Sequence, residues 1–107
     1  MNNVTSCVFP CVCAGIAAYT LWQPYPTTGM YMTINTSNCN FNRTPVYFTS
    51  MGGQLSHSIL SGYGAIYVAS SISFTVYARG VSLLNTSTLL SLATSDVWNV
   101  NWFGLYY

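Results

Sequence analysis

The sequence contains no lysine and no glutamate, and Arg43, Arg79 and Asp96 are its only residues charged at neutral pH. A soluble surface ordinarily carries roughly a quarter to a third charged residues, so this chain must stay in solution, or leave it, by other means. Several functions fall away with the charge. Nucleic-acid binding draws most of its strength from Lys and Arg neutralising phosphates, and a net charge of +1 leaves no footprint for it. Sugar hydrolysis by paired carboxylates needs two acids where this chain has one, and no acidic cluster is present for calcium mineral. Long apolar runs are lacking too. Pro10, Pro24, Pro26, Gly29 and scattered Asn break every charge-free stretch short of the roughly 20 apolar residues of a transmembrane helix, so no membrane span is expected. The cysteine spacing C-x3-C-x-C, with the only histidine far off at His57, makes a poor metal ligand set, and no cofactor is expected.

What is present is apolar, aromatic and hydroxylic. Hydrophobic residues make up 51% and aromatics 16% of the 107 residues, enough for one core but hardly two, so one structural domain is expected. Thirteen Ser, twelve Thr, nine Tyr and nine Asn replace charge as the polar surface. Such a surface suits hydrogen bonding and close approach between subunits. Cys7, Cys11, Cys13 and Cys39 are an even set, three of them crowded early, and read as a disulfide framework in an oxidising compartment. Four cysteines allow three pairings, and pairing between chains is equally open. The sequons at Asn3, Asn35, Asn42 and Asn85 are glycosylation candidates pointing the same way, to a secreted protein.

Strand periodicity runs through the chain. Ile72, Phe74, Val76 and Ala78 alternate with Ser73, Thr75, Tyr77 and Arg79, a half-buried strand with one polar face. Trp98, Val100, Trp102 and Gly104 alternate with Asn99, Asn101, Phe103 and Leu105, a second strand whose other face turns apolar toward the end and wants a partner. Residues 46–51, after Pro45, then 58–61 and 64–70 give further short β-rich runs, with turns at Gly52-Gly53 and Gly62. Upstream, residues 12–21 and 30–34 flank the turn-rich stretch 23–29. Residues 83–92 carry leucines at near-helical spacing, but Thr and Ser weaken a helix, and strand or loop is expected. Together these predict an all-β, antiparallel β-sandwich, jelly-roll-like, with a Cys-rich N-terminal segment (residues 1–40) packing on a sandwich core of residues 41–107.

The segments FNRTPVYFTS, ISFTVYAR and WNVNWFGLYY, from Phe41 to Tyr107, resemble the H-type lectins, the family of snail agglutinins and of the C-terminal domain of slime-mould discoidins. Phe41, Pro45, Phe74 and Trp102 take the places of the family's Phe, Pro-led strand, Gly-Phe strand and closing Trp strand, with Ser73 where the family usually has Gly. The resemblance implies a six-stranded antiparallel sandwich forming trimers, sometimes stacked into hexamers, with sugar near subunit boundaries. The family's sugar-binding Arg falls near Ala65 and its Trp-His pair near Val81, so none of its ligands transfers. A fold without its site is familiar, because function lives in sites grafted onto folds.

His57 between Ser56 and Ser58, with Asp96, permits a Ser-His-Asp set on paper, but no nucleophile-elbow context accompanies it, and no enzyme is expected. Arg79 and Asp96 are an ion-pair candidate, within a subunit or across an interface. Trp22, Tyr25, Tyr31, Trp98, Trp102, Phe103, Tyr106 and Tyr107 are candidates for interface packing or sugar stacking. Residues 65–78 combine high β-propensity with neither charge nor Pro until Arg79, a segment that pairs readily with other chains. The expected function is that of a secreted structural protein that self-assembles into an extracellular fibre, lattice or matrix, its main partner being itself. The alternatives are a glycan-binding lectin and a matrix protein associated with silica or polysaccharide.

Overall fold

The computed structural model describes residues 11–81 and 84–106. Among these residues seven strands form two antiparallel sheets: β1 (Cys11–Ala17), β2 (Gln23–Tyr25), β3 (Gly29–Asn35), β4 (Val46–Met51), β5 (Leu60–Ser61), β6 (Ser73–Gly80) and β7 (Val100–Tyr106). One sheet has three strands in the order β1-β7-β4, the other four in the order β2-β3-β6-β5. The fold is an all-β sandwich with one short helix, α1 (Thr86–Ser95).

Period-two burial builds the core. Met30, Met32 and Ile34 on β3 and Phe74, Val76 and Ala78 on β6 face inward from the four-stranded sheet. Tyr47 on β4 and Val100 and Trp102 on β7 face them from the other. The Tyr47 ring stacks on Phe74 at 4.2 Å, and Phe74 meets Trp102 edge-on at 6.1 Å. Phe41 and Pro45 are buried around Gly104 of β7 together with Tyr47. Gly15 lies opposite Trp102 in the β1–β7 register, where a Cβ would stand 2.8 Å from the indole ring.

Four expectations need correction. Residues 11–35 do not pack on the sandwich as a separate segment, because β1 belongs to one sheet and β2 and β3 to the other. The run 83–92, expected as strand or loop, is helical from Thr86. This helix, α1, has its first turn capped by Asn85 accepting from the Thr88 N–H at 2.8 Å, and it buries Leu89 and Ala93 one turn apart. The run 65–78 becomes a strand only from Ser73. Before it, Tyr67 makes a single bridge to Thr75, and Ile72 is exposed. That bridge covers Thr75, which is buried on what the sequence presents as a polar face. Of residues 58–61 only Leu60 and Ser61 are strand, the two-residue β5, and the two before them belong to a 3-10 turn, His57–Ile59.

Candidate functional site

The two outer faces of the sandwich differ in chemistry. On the three-stranded sheet, strand alternation turns Val12, Ala14 and Ile16 of β1 outward, with Phe103 and Leu105 of β7 and Val46 and Phe48 of β4. The register aligns them in rows: Val12, Leu105 and Val46, then Ala14, Phe103 and Phe48. Phe48 and Phe103 stack at 4.7 Å, and the large side chains of these rows other than Leu105 are 40 to 61% exposed. Ile16, in the next row with Asn101 and Ser50, is 70% exposed. No charge falls on this face. Contiguous exposed apolar surface of this kind marks interaction sites.

Among the described residues, β1 and β4 are the outer strands of the same sheet. Beside β1, seven residues long, lies a cleft of about 460 Å³ whose walls include Ile16, Ile34, Asn35 and Trp102. Natural edges are ordinarily blunted with Lys, Pro or brevity. The four-stranded sheet follows that rule, ending in Pro24 on β2 and in the two-residue β5. β1 and β4 carry neither Lys nor Pro within their spans.

The outer face of the four-stranded sheet is tyrosine-rich. Tyr31 pairs with Tyr77 in register, their rings 5.9 Å apart, and Tyr25 on β2 sits edge-on to both, 6.5 and 5.1 Å away. Tyr67 meets Tyr77 edge-on at 4.9 Å. Two backbone bonds of 2.8 Å to Thr75 hold Tyr67 there, although the next residue, Val68, has φ 52°, a region a β-branched residue rarely enters. Arg79 completes this corner and donates to Thr28 Oγ1 at 3.0 Å. Next along the face, the Thr33 and Thr75 hydroxyls bond at 3.0 Å. Of these tyrosines the sequence pointed to Tyr25 and Tyr31 as aromatic candidates. Tyr67 and Tyr77 arrive through the fold, and the only prior sign of Tyr77 was its place beside Arg79 on the polar side of ISFTVYAR.

The remaining candidates are distributed as follows. Trp22, Trp98 and Trp102 are buried, and the Trp22 indole donates to the Trp98 carbonyl and the Trp98 indole to that of Leu55, both at 2.9 Å. They pack the core and are not open to a sugar ring. Phe103 belongs to the apolar face. Tyr106 is half-buried, its hydroxyl donating to Asn42 Oδ1 at 2.7 Å while Arg43 stands 4.6 Å over its ring. Tyr107, Cys7 and Asn3 lie outside the described residues.

Arg79 and Asp96 do not pair. Arg79 and its partner Thr28 adjoin the start of α1, where Thr86 bonds Tyr25 and Gly29, while Asp96 caps the helix end. Asp96 is 9% exposed, and its Oδ2 is the one buried side-chain polar atom without a hydrogen-bond partner among the described residues. His57 binds the Gly52 carbonyl through Nε2 at 2.7 Å and lies 6.2 Å from the Trp98 ring. No side-chain hydrogen bond joins either of them to a serine among the described residues.

Cys13 and Cys39 form a disulfide within the chain, Cys11 is disulfide-bonded, and none of the described cysteines is free. Cys13 and Cys39 are therefore not available for bonds between chains. The sequon asparagines Asn35, Asn42 and Asn85 are exposed, each with its side-chain oxygen already bonded, to Ser37, Tyr106 and Thr88 respectively. No described helix is long and apolar enough to cross a membrane, and no group of three or more metal-ligating side chains occurs among the described residues. No protein family, no curated protein and no solved structure matches the chain.

Proposed function

We propose that this is a secreted structural protein that assembles with copies of itself into an extracellular fibre, lattice or matrix, and that the outer face of the three-stranded sheet is where copies meet. The observation that carries the reading is the row of exposed, uncharged apolar side chains across β1, β7 and β4, flanked by two edges without Lys or Pro. Burying an exposed aliphatic or Phe side chain is worth about 1.5–3 kcal/mol, and this face offers several in register. The contrast between the two sheets supports the choice of face, since the four-stranded sheet has blunted edges. An extracellular setting is supported by the Cys13–Cys39 disulfide, because such bonds persist in oxidising compartments.

Negative-stain electron microscopy and sedimentation test it. Wild-type chain is expected to form filaments or lattices that grow with concentration. Ile16→Lys and Phe48→Lys put a charge on the face and are expected to give small particles with melting temperatures near that of the wild type, since both positions are exposed. Wild-type particles of one fixed size, unchanged by either variant, would overturn the proposal.

A further inference from the structure

The four tyrosines on the outer face of the four-stranded sheet hold one another by their rings and leave their hydroxyls unused. None of the hydroxyls of Tyr25, Tyr31, Tyr67 and Tyr77 bonds to another described group, and Arg79 uses a single N–H, toward Thr28. Tyr25, Tyr67, Tyr77 and Arg79 line a cavity of about 350 Å³, within the roughly 300–1,000 Å³ of small-ligand clefts. Tyr25 and Tyr67, at 49 and 46% exposed, form its accessible walls. Tyr67 is fixed over Tyr77 by the paired backbone bonds to Thr75, at the expense of a left-handed Val68, so the wall is positioned and not merely exposed.

The chemistry selects the occupant. An apolar partner would desolvate the phenol hydroxyls and the guanidinium without supplying partners, at about 1–3 kcal/mol for each group left unpaired. A quaternary ammonium, the usual guest of an aromatic cage, would meet Arg79, and no carboxylate lies on this face to offset it. A pyranose offers C–H faces to the rings and hydroxyls to the phenols. A carboxylate or sulfate on that pyranose would satisfy the unused donors of Arg79. We infer that the Tyr25–Tyr67–Tyr77–Arg79 cavity is a binding site for an acidic pyranose unit of a polysaccharide. The site lies on the sheet opposite the assembly face and does not depend on assembly.

Affinity electrophoresis of the full chain through gels holding a polyuronate, a sulfated galactan or an uncharged polyglucan tests the inference. Wild type is expected to be retarded by an acidic polymer, the uronate and sulfate arms telling which acid is taken. Tyr25→Ala and Tyr67→Ala are each expected to weaken binding roughly fivefold to tenfold, as loss of one aromatic contact should. Arg79→Gln is expected to reduce binding of the acidic polymers to the level of the polyglucan. Ser91→Ala, at an exposed position on α1 that belongs to neither sheet face, is expected to bind as the wild type does. Nitration provides a readout that needs no variant, with Tyr25 and Tyr67 expected to be protected by the bound polymer. Absence of retardation in all three gels, a preference for the polyglucan, or undiminished binding by folded Tyr25→Ala and Tyr67→Ala would overturn it.

Discussion

Tyr47 joins the two sheets with both ends of its side chain. Its ring stacks on Phe74 of the facing sheet, while its hydroxyl donates to the Ser70 carbonyl at 2.7 Å and, its one proton being used there, accepts from the Thr36 hydroxyl at 2.8 Å. Burial pushes the Tyr47 pKa above 10.0, against a smaller downward pull from the Thr36 hydrogen bond. The folded state therefore holds the phenol neutral at pH values where the unfolded chain ionises it. This contribution is complete below about pH 10 and is lost as pH rises through the folded value. Urea denaturation across pH 8 to 12 is expected to show stability falling above about pH 10, and Tyr47→Phe should flatten that slope while losing about 1–3 kcal/mol from the unpaired Thr36 hydroxyl. Gly15 gives a second prediction. Gly15→Ala pushes a Cβ into the Trp102 ring and is expected to cost about 1–3 kcal/mol, read as a lower melting temperature with near-ultraviolet dichroism altered around tryptophan. At this scale the sequence was legible where a side chain's size sufficed. Phe74 read as the inward side of a half-buried strand and is core, whereas Trp98 and Trp102, put forward for interface packing or sugar stacking, are core as well. The tyrosine-rich face was half legible, because Tyr25 and Tyr31 stand near the Pro-rich turn, whereas Tyr67 and Tyr77 join them only once β3 pairs with β6 and the Tyr67 bridge forms.

Strands with one buried and one polar face announced themselves. β6 alternates apolar with polar side chains along its length, β7 does so from Val100 to Asn101 before its outer side turns apolar at Phe103, and β4 follows Pro45 as anticipated. β1 did not, because both of its faces are apolar: Cys11, Gly15 and Ala17 inward, Val12, Ala14 and Ile16 outward, so the period vanishes from the hydropathy. α1 was misread for a different reason. Thr86, Thr88 and Thr94 disfavour a helix in isolation, and packing of Leu89 and Ala93 beneath the turn overrides them. The local sign was Asn85, whose place before a run of leucines marks a cap as readily as a sequon. Asn85→Ala is expected to lower stability by about 1 kcal/mol in urea unfolding with little change in m-value, whereas Asn85→Asp, which keeps the accepting oxygen at a helix N-terminus, should come within a few tenths of the wild type.

Over the whole molecule, the Cys13–Cys39 bond ties β1 of one sheet to the turn following β3 of the other and closes a loop of 26 residues. By loop-closure entropy that is worth about 3.5 kcal/mol. The Cys13→Ser, Cys39→Ser double variant is expected to lose that order of stability in denaturant titration, and reductant should soften the fold of each subunit before it separates subunits. Cysteine spacing alone left this pairing open among the alternatives, because the β1–β7 and β3–β6 registers that bring the two residues together are set by contacts distant in sequence. The apolar face on β1, β7 and β4 has a consequence for where the proposed assembly would hold. With three charged side chains in the chain and none on that face, an interface built there has no ion pairs for salt to screen, and hard freshwater and brine should treat it alike. Temperature is the variable that acts on it. Hydrophobic attachment weakens on cooling, so the assembled state should loosen near freezing, tighten with warmth and tighten again in sulfate, in the manner of a thermal adhesive set by water itself.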